Sequence, residues 1–517
     1  MKRRIYNDLL EWKNNSVNKP LILLGVRQCG KTYIIEKFCK NEYKKWKKVN
    51  LFQREDVVNL YKSNINSEEK YKMLKAMINF DFDEEGSILF IDEIQISEEL
   101  ISDLKFFCEE HNNVRIICAG SLLGVKLRRF SKSFPVGKVY LCSMYPMDFE
   151  EYLIANNEEL LLNSIKECFN NNKPMLMLHD KALRYYYNYL LTGGMPECVA
   201  NLISVNNDYV KYNKNILNDI IESYFDDMKK YIESPSETLK IRRLYDSLPS
   251  QLSNASHKFQ YSKIIKNAKS RDYELPLDWL ISANMVLKVN CVNNLQKPLK
   301  GFEDKDTFKL FLSDVGILNN FLNISLNEIL NNDIKVYKGV ISENFVANQL
   351  ISNGVPIYYW KSKDEAEVDF IIESDEDGII PLEVKSSENT QSKSLKLYYS
   401  LYKPKYMIRL STKDFEYNPE TKIKSIPLYS TFLIRDIANK NIKKDYFDKL
   451  SNTSTKEYYN GWLTPEEDNA YVDRVTGAYE NSIEIAKRML EMNISIDDIS
   501  KATKLSIKEI EDLKNEK

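Results

Sequence analysis

The stretch Gly25-Val-Arg-Gln-Cys-Gly30-Lys31-Thr32 follows the apolar run Pro20-Leu-Ile-Leu-Leu24. A buried strand ending at Leu24 would deliver the chain into a glycine-bearing turn, where backbone amides converge on phosphate oxygens and a Cβ would not fit. Lys31 would reach the β- and γ-phosphates, and the Thr32 hydroxyl would hold Mg²⁺. The helix that follows, Tyr33 to Lys40, would aim its positive end at the same anion. Residues Gly25, Val26, Arg27, Gln28, Cys29, Gly30, Lys31 and Thr32 are therefore expected to bind ATP or GTP, with Mg²⁺.

A second element belongs to the same chemistry. Ser87-Ile-Leu-Phe-Ile-Asp92-Glu93 is a continuous apolar strand closed by two acids, as a parallel strand buried on both faces would be. Asp92 is expected to hold Mg²⁺ through its water shell and Glu93 to orient the attacking water. An isolated Asp-Glu would read as a strand ending in surface acids; downstream of a complete phosphate loop, the joint reading prevails. A third strand, Val114 to Ala119, ends at Gly120-Ser121, where Ser121 would sense the γ-phosphate. Arg128 and Arg129, just beyond it, are candidates to act on the nucleotide of a neighbouring copy. Cys29 lies inside the cradle, either as a thiolate favoured by the helix end and Lys31 or as a small residue the turn tolerates.

A third group of residues could do different chemistry. Ala366-Glu-Val-Asp369-Phe-Ile-Ile372 and Ile379-Ile-Pro-Leu-Glu383-Val-Lys385 are apolar strands joined by Ser374-Asp-Glu-Asp-Gly378. Glu383 and Lys385 share a strand face, and a hairpin closing symmetrically about Glu376 sets Asp369 opposite Glu383. Two carboxylates and an ammonium then converge, with Glu343 on the preceding helix able to add a third acid. This is the Asp…Glu-x-Lys arrangement in which carboxylates hold a divalent metal and a lysine positions water at a scissile phosphate. A salt-bridged polar ribbon face is the plain alternative, although flanking apolar residues suggest a central strand, where charges need a reason.

The elements that must position these groups follow from length and periodicity. At 517 residues the chain should fold as about three domains. A formal net charge of -2 gives no overall basic excess, so any nucleic-acid contact must rest on local patches. No run reaches the ~20 apolar residues of a membrane span, and the polar start Met1-Lys-Arg-Arg is no signal peptide. Eight scattered cysteines without a Cys-x-x-Cys pair, and only three histidines, argue for reduced thiols and a cytoplasmic protein.

Residues 1–195 alternate strands, expected at 20–24, 46–51, 87–92, 114–119 and 137–142, with helices, the pattern of a doubly wound parallel α/β sheet. Residues 196–325 turn mainly helical. There, helices over 259–269 and 275–283 followed by a strand over 285–292 give winged-helix order. Lys263, Lys266 and Lys269 fit DNA phosphate contact and a solvated helix face equally well. Residues 326–435 carry the acid-lysine strands behind a helix over 339–352. The remainder, 436–517, reads as a polar linker and a helix-turn-helix-like tail, with capping boxes at Ser495 and Ser506.

With these residues in hand, the chain resembles a bacterial and archaeal family of AAA-type P-loop ATPases that carry a C-terminal domain of unknown function similar to the PD-(D/E)xK nuclease fold. The matching pieces, over about residues 1–435, are the phosphate loop, Leu89-Phe-Ile-Asp-Glu-Ile-Gln95, Ala119-Gly-Ser121, Tyr145-Pro-Met-Asp-Phe-Glu-Glu-Tyr152, Gly193-Gly-Met-Pro-Glu197, Glu343-Asn-Phe-Val-Ala-Asn348, Glu367-Val-Asp369 and Leu382-Glu-Val-Lys385. Where the family usually has Gly-Arg, this chain has Gly137-Lys138. The expected function is an ATP-binding ATPase whose nucleotide state regulates a nuclease-like, DNA-binding domain, with a second copy of the chain as a further candidate partner. The alternative is a nucleotide-dependent protein-interaction switch on an inactive nuclease-like scaffold.

Overall fold

The computed structural model describes residues 1–438, apart from 16, 121–133, 233, 254–257, 326–327, 329–334, 363–365 and 386–392, together with 490 and 496. Ser121, Arg128, Arg129 and nearly all of the expected tail, Ser495 and Ser506 included, lie outside the described residues. The chain divides into two compact units, Met1–Tyr224 with Leu244–Thr455, and Phe225–Arg243 with Lys456–Lys517. In the second, the described residues are 225–232, 234–243, 490 and 496, which include the end of helix Asn215–Tyr231 and the start of helix Pro235–Leu252.

Continuous apolar runs make the first sheet. Strands β1 (Leu21–Gly25), β2 (Lys45–Asn50), β3 (Ser87–Asp92), β4 (Ile116–Gly120) and β5 (Tyr140–Met144) lie in the order β2-β3-β4-β1-β5, all parallel. The central three are buried at every residue, as strands covered by helices on both faces must be. The expected strand over 137–142 begins three residues later, after the turn at Gly137. Because β4 lies between β1 and β3, the phosphate loop, Asp92 and the exit of β4 emerge along one edge, where α/β sheets bind ligands.

The second sheet has eight strands: β6 (Val286–Val292), β7 (Glu303–Leu312), β8 (Tyr358–Lys361), β9 (Glu367–Ser374), β10 (Gly378–Lys385), β11 (Met407–Ser411), β12 (Glu416–Asn418) and β13 (Ile423–Pro427). Their order is β12-β13-β11-β10-β9-β8-β6-β7. The strand expected to be a wing, β6, thus pairs in parallel with β8 and extends this sheet. The helix expected over 259–269 is a single 3-10 turn at Tyr261–Lys263, so Lys263, Lys266 and Lys269 share no helix face, although all three are exposed. Its run Lys266-Asn-Ala-Lys-Ser has no apolar anchor, and Asn267 takes a left-handed φ of 68°, which ends helical propagation. Helix Lys335–Ser352 packs on β7 and β10.

Candidate functional site

Gly25 ends β1 so close to β5 that a Cβ there would stand 2.2 Å from the Met144 carbonyl oxygen. Gln28 and Gly30 take left-handed φ values of 64° and 97°, turning the loop into helix Lys31–Glu42. Lys31 is buried, and its Nζ donates to the carbonyls of Gly25 and Val26 at 2.8 Å each. The Thr32 hydroxyl donates to the Asp92 carboxylate at 3.3 and 3.4 Å, so the two expected Mg²⁺-holding side chains already meet. Lys48, on β2, reaches Asp92 Oδ2 at 3.0 Å and Glu36 at 2.8 Å. Glu93 is half-buried in left-handed backbone (φ 58°, ψ 42°), and Gln95 Nε2 donates to its Oε2 at 2.5 Å. Such a conformation costs a non-glycine residue energy and is found where a side chain must be aimed. Cys29 is fully buried with its Sγ 3.6 Å from the Met144 carbonyl oxygen, which removes the accessibility that a redox sensor needs.

Sequence reasoning missed the residues that strap this loop. Arg3 is buried, and its guanidinium donates to the Cys29 carbonyl at 2.9 Å, the Tyr145 carbonyl at 2.6 Å and Glu151 at 3.0 Å. Arg4 donates to Asp148 at 2.5 Å, to Asn353 Oδ1 at 2.6 Å and to the Ser352 carbonyl at 2.8 Å. Asp148 and Glu151 form the capping box of helix Phe149–Ala155. Arg435 joins them, donating to Asn353 at 2.7 Å and pairing with Glu150 at 2.6 Å. Adjacent arginines therefore touch the phosphate loop on one side and the end of helix Lys335–Ser352 on the other. The only sequence signal was the basic run Lys2-Arg-Arg itself.

A second joint uses the Gly193-Gly-Met-Pro-Glu197 stretch. Asp314 is fully buried and accepts from the amides of Gly194 at 2.7 Å, Gly316 at 2.8 Å and Ile317 at 3.2 Å. Burial raises its carboxyl to about 6 against these three bonds. A Cβ on Gly194 would stand 1.9 Å from the Met147 carbonyl oxygen, so no larger residue fits this loop.

In the second sheet, β9 and β10 pair from Gly378↔Ser374 to Leu382↔Phe370, which makes Asp369 and Glu383 the next positions along the ladder. Asp369 Oδ2 accepts from the Val384 amide at 2.7 Å, and Glu383 pairs with Lys385 at 2.6 Å. Glu343 and Glu383 are buried, and Glu383 Oε2 accepts no hydrogen bond. Burial, then the charges of Glu343 and Glu383, push the Asp369 carboxyl well above the usual carboxylate range. Burial also raises Glu383, against the pull of Lys385. A lysine absent from the expected set is also here: Lys309 of β7, fully buried, lies 2.5 Å from Glu367 and 3.7 Å from Glu343. The signal for it was a lysine inside Phe308-Lys-Leu-Phe-Leu312, a charge in an apolar strand that must have a partner. Among the described residues, no three His, Cys, Asp or Glu side chains converge closely enough to hold a metal ion as they stand.

Residues 17–153 match a family model described as an AAA domain. Residues 183–328 and 338–430 match two models described as domains of unknown function, DUF8612 and DUF4143. The chain is 23% identical over 413 residues to the uncharacterized protein MJ1544 of Methanocaldococcus jannaschii, covering 78% of this chain and 83% of that one. Among solved structures, the Walker-type ATPase PABY2304 of Pyrococcus abyssi aligns over 62% of this chain and 95% of its own, at 16% identity and a TM-score of 0.38. The Aeropyrum pernix ORC2 protein, an ADPNP-ADP complex, aligns over 65% and 91% at 14% identity and a TM-score of 0.30. The AAA match, on a five-stranded parallel sheet with a complete phosphate loop, makes the N-terminal part a nucleotide-binding P-loop ATPase domain of AAA type. No helix among the described residues is long and apolar enough to cross a membrane.

Proposed function

We propose that this chain hydrolyses ATP and uses the nucleotide state of its P-loop domain to control the C-terminal sheet, a nuclease-like, DNA-binding domain that takes a divalent cation at Asp369 and Glu383. The observation that carries this reading is the arginine pair: Arg3 bonds the Cys29 carbonyl inside the phosphate loop, and Arg4, the next residue, bonds Ser352 and Asn353. Phosphate in the cradle requires Lys31 to leave the Gly25 and Val26 carbonyls, and a loop that reorganises there pulls on Arg3.

The catalytic assignments follow from position. Lys31 would bind phosphate, Thr32 and Asp92 would hold Mg²⁺ and Glu93 would aim the water, and Ser121, next after Gly120 in the sequence, would sense the γ-phosphate. Bound Mg²⁺ supplies charge neutralisation at the β- and γ-phosphates. The donor set of the second sheet fits a hard divalent cation as well: buried carboxylates, one carboxylate oxygen without a hydrogen-bond partner, and two neighbouring carboxyls whose charged forms are disfavoured first by burial. Exposed Lys361 and Lys393 flank that sheet, and the exposed Lys263, Lys266 and Lys269 add further positive charge for DNA phosphates.

The rival reading, an interaction switch on an inert scaffold, draws on the ion pairs that Glu383 and Glu367 already make. Hydrogen exchange of the full chain with and without ATP tests the coupling. ATP should alter exchange across residues 343–385 in the wild type, and Arg4→Ala should abolish that change while leaving nucleotide affinity intact. Exchange unaffected by ATP in the wild type overturns the reading. ATP hydrolysis measured with and without duplex or single-stranded DNA tests the partner.

A further inference from the structure

The acid cluster of the second sheet holds an internal cation that its expected chemistry does not call for. Lys309 pairs across the sheet with Val289 of β6 and exposes none of its surface. A fully buried ammonium is strongly unfavourable unless carboxylates surround it. Here Glu367 lies at 2.5 Å, Glu343 at 3.7 Å, and the Tyr359 ring centre 5.0 Å from Nζ. Burial works against this charge, yet Glu343, Glu367 and Asp369 outweigh it and hold the ammonium above its ordinary pKa.

The cluster has four acids, Glu343, Glu367, Asp369 and Glu383, and two ammonium groups, Lys309 and Lys385. Fully ionised, it carries two negative charges in excess, which one divalent cation would neutralise. Lys309 lies against Glu367 and Glu343, so the excess falls on Asp369 and Glu383, where Lys385 reaches Glu383 and Asp369 accepts from the Val384 amide. Glu383 Oε2, buried and without a hydrogen-bond partner, is the oxygen left over.

We infer that Lys309 is the fixed counter-ion of this cluster, satisfying Glu367 and Glu343 so that Asp369 and Glu383 take one divalent cation and never two. The inference rests on the proposed cation site. Lys309 is a positioning residue: it sets the charge and number of ions the site accepts without being a ligand.

Mn²⁺ binding to the full chain without nucleotide, followed by electron paramagnetic resonance and calorimetry, tests it. The wild type should bind one Mn²⁺ per chain and Asp369→Ala none. Lys309→Met keeps the length of the side chain and removes its charge; it should bind a second ion, or the first at least ~10-fold more tightly. Lys309→Arg should restore wild-type stoichiometry. A wild type that binds one ion, with Lys309→Met unchanged in number and affinity, overturns the role of Lys309 and leaves the cation site standing. Two ions in the wild type do the same. A wild type that binds none removes the site and the inference together. If Lys309→Met does not fold, Glu367→Gln, at a less buried position, decides: loss of its charge should weaken Mn²⁺ binding roughly 10-fold, and unchanged binding overturns the inference.

Discussion

Lys31 and Glu93 stand on opposite sides of the nucleotide chemistry, and their substitutions should separate binding from turnover. Lys31→Ala removes the phosphate cation and should weaken ATP binding by roughly 10-fold or more. Glu93→Gln keeps the shape and loses the group that polarises water, so affinity should hold while the steady-state rate falls by roughly 10²- to 10³-fold. A fluorescent nucleotide titration beside a phosphate-release assay reads both; equal loss of affinity in the two variants would sink the assignment. Gln95 fixes the Glu93 carboxylate at 2.5 Å, so Gln95→Ala should lower the rate more than the affinity. Burial of Cys29 argues that Cys29→Ser leaves any peroxide sensitivity of the ATPase unchanged.

At the scale of elements, the joints are made by loops that no side chain larger than hydrogen could build. Gly194 lies against Met147 while its amide is held by Asp314, which also caps helix Val315–Leu322. Gly194→Ala would drive a Cβ into backbone and should cost roughly 1–3 kcal/mol, visible as a lower Tm. Asp314 adds a pH signature. Its carboxyl titrates near 6 in the folded chain and at 3.8 ordinarily, so the folded state binds the proton more tightly. Its contribution to stability is therefore largest below pH 4 and declines as pH rises through 6, by on the order of 3 kcal/mol. Thermal melts of wild type and Asp314→Asn across pH 4–7 should show the wild-type advantage shrinking as pH rises. A constant difference would mean that Asp314 is ionised throughout.

Within the larger unit, the P-loop domain and the second sheet are tied by charged and polar groups drawn from residues 3–4, 148–151, 349–353 and 435. The Asp148 side chain is fully buried, and Arg4 outweighs the cost of that burial and holds its carboxyl below the usual range. Removing Arg4 leaves that buried charge with only the Glu151 amide, Asn353 and the more distant Arg435, so Arg4→Ala should destabilise the chain by about 2 kcal/mol. Asn353→Ala removes a partner of the same group, and the double variant should depart from additivity by roughly 0.5 kcal/mol or more in denaturant titrations. Additive losses would show that the two ends are not coupled. Mg²⁺ or Mn²⁺ should also raise the Tm of the full chain without nucleotide, by mass action on the folded state, and Asp369→Ala should erase that shift. A shift that survives Asp369→Ala places the ion elsewhere and favours the scaffold reading.

The amino-acid sequence by itself determined what is local. Continuous apolar runs such as Leu21–Leu24 and Ile88–Ile91, short and bounded by turn or acidic residues, read as strands buried on both faces, and the glycines and Lys31-Thr32 that follow the first define a phosphate loop from within eight residues. The hairpin register that sets Asp369 beside Glu383 was equally legible, because a side-chain period of two and a symmetric turn leave one solution. Tertiary structure alone decided which distant charges meet. Arg3 reaches Cys29, Tyr145 and Glu151 across as many as 148 positions, and Lys309 enters the acid cluster because β7 and helix Lys335–Ser352 pack together. Periodicity reports which face of an element is buried, but a buried charge is indifferent to sequence distance: its partner is whichever carboxylate the sheet order brings within a few ångströms.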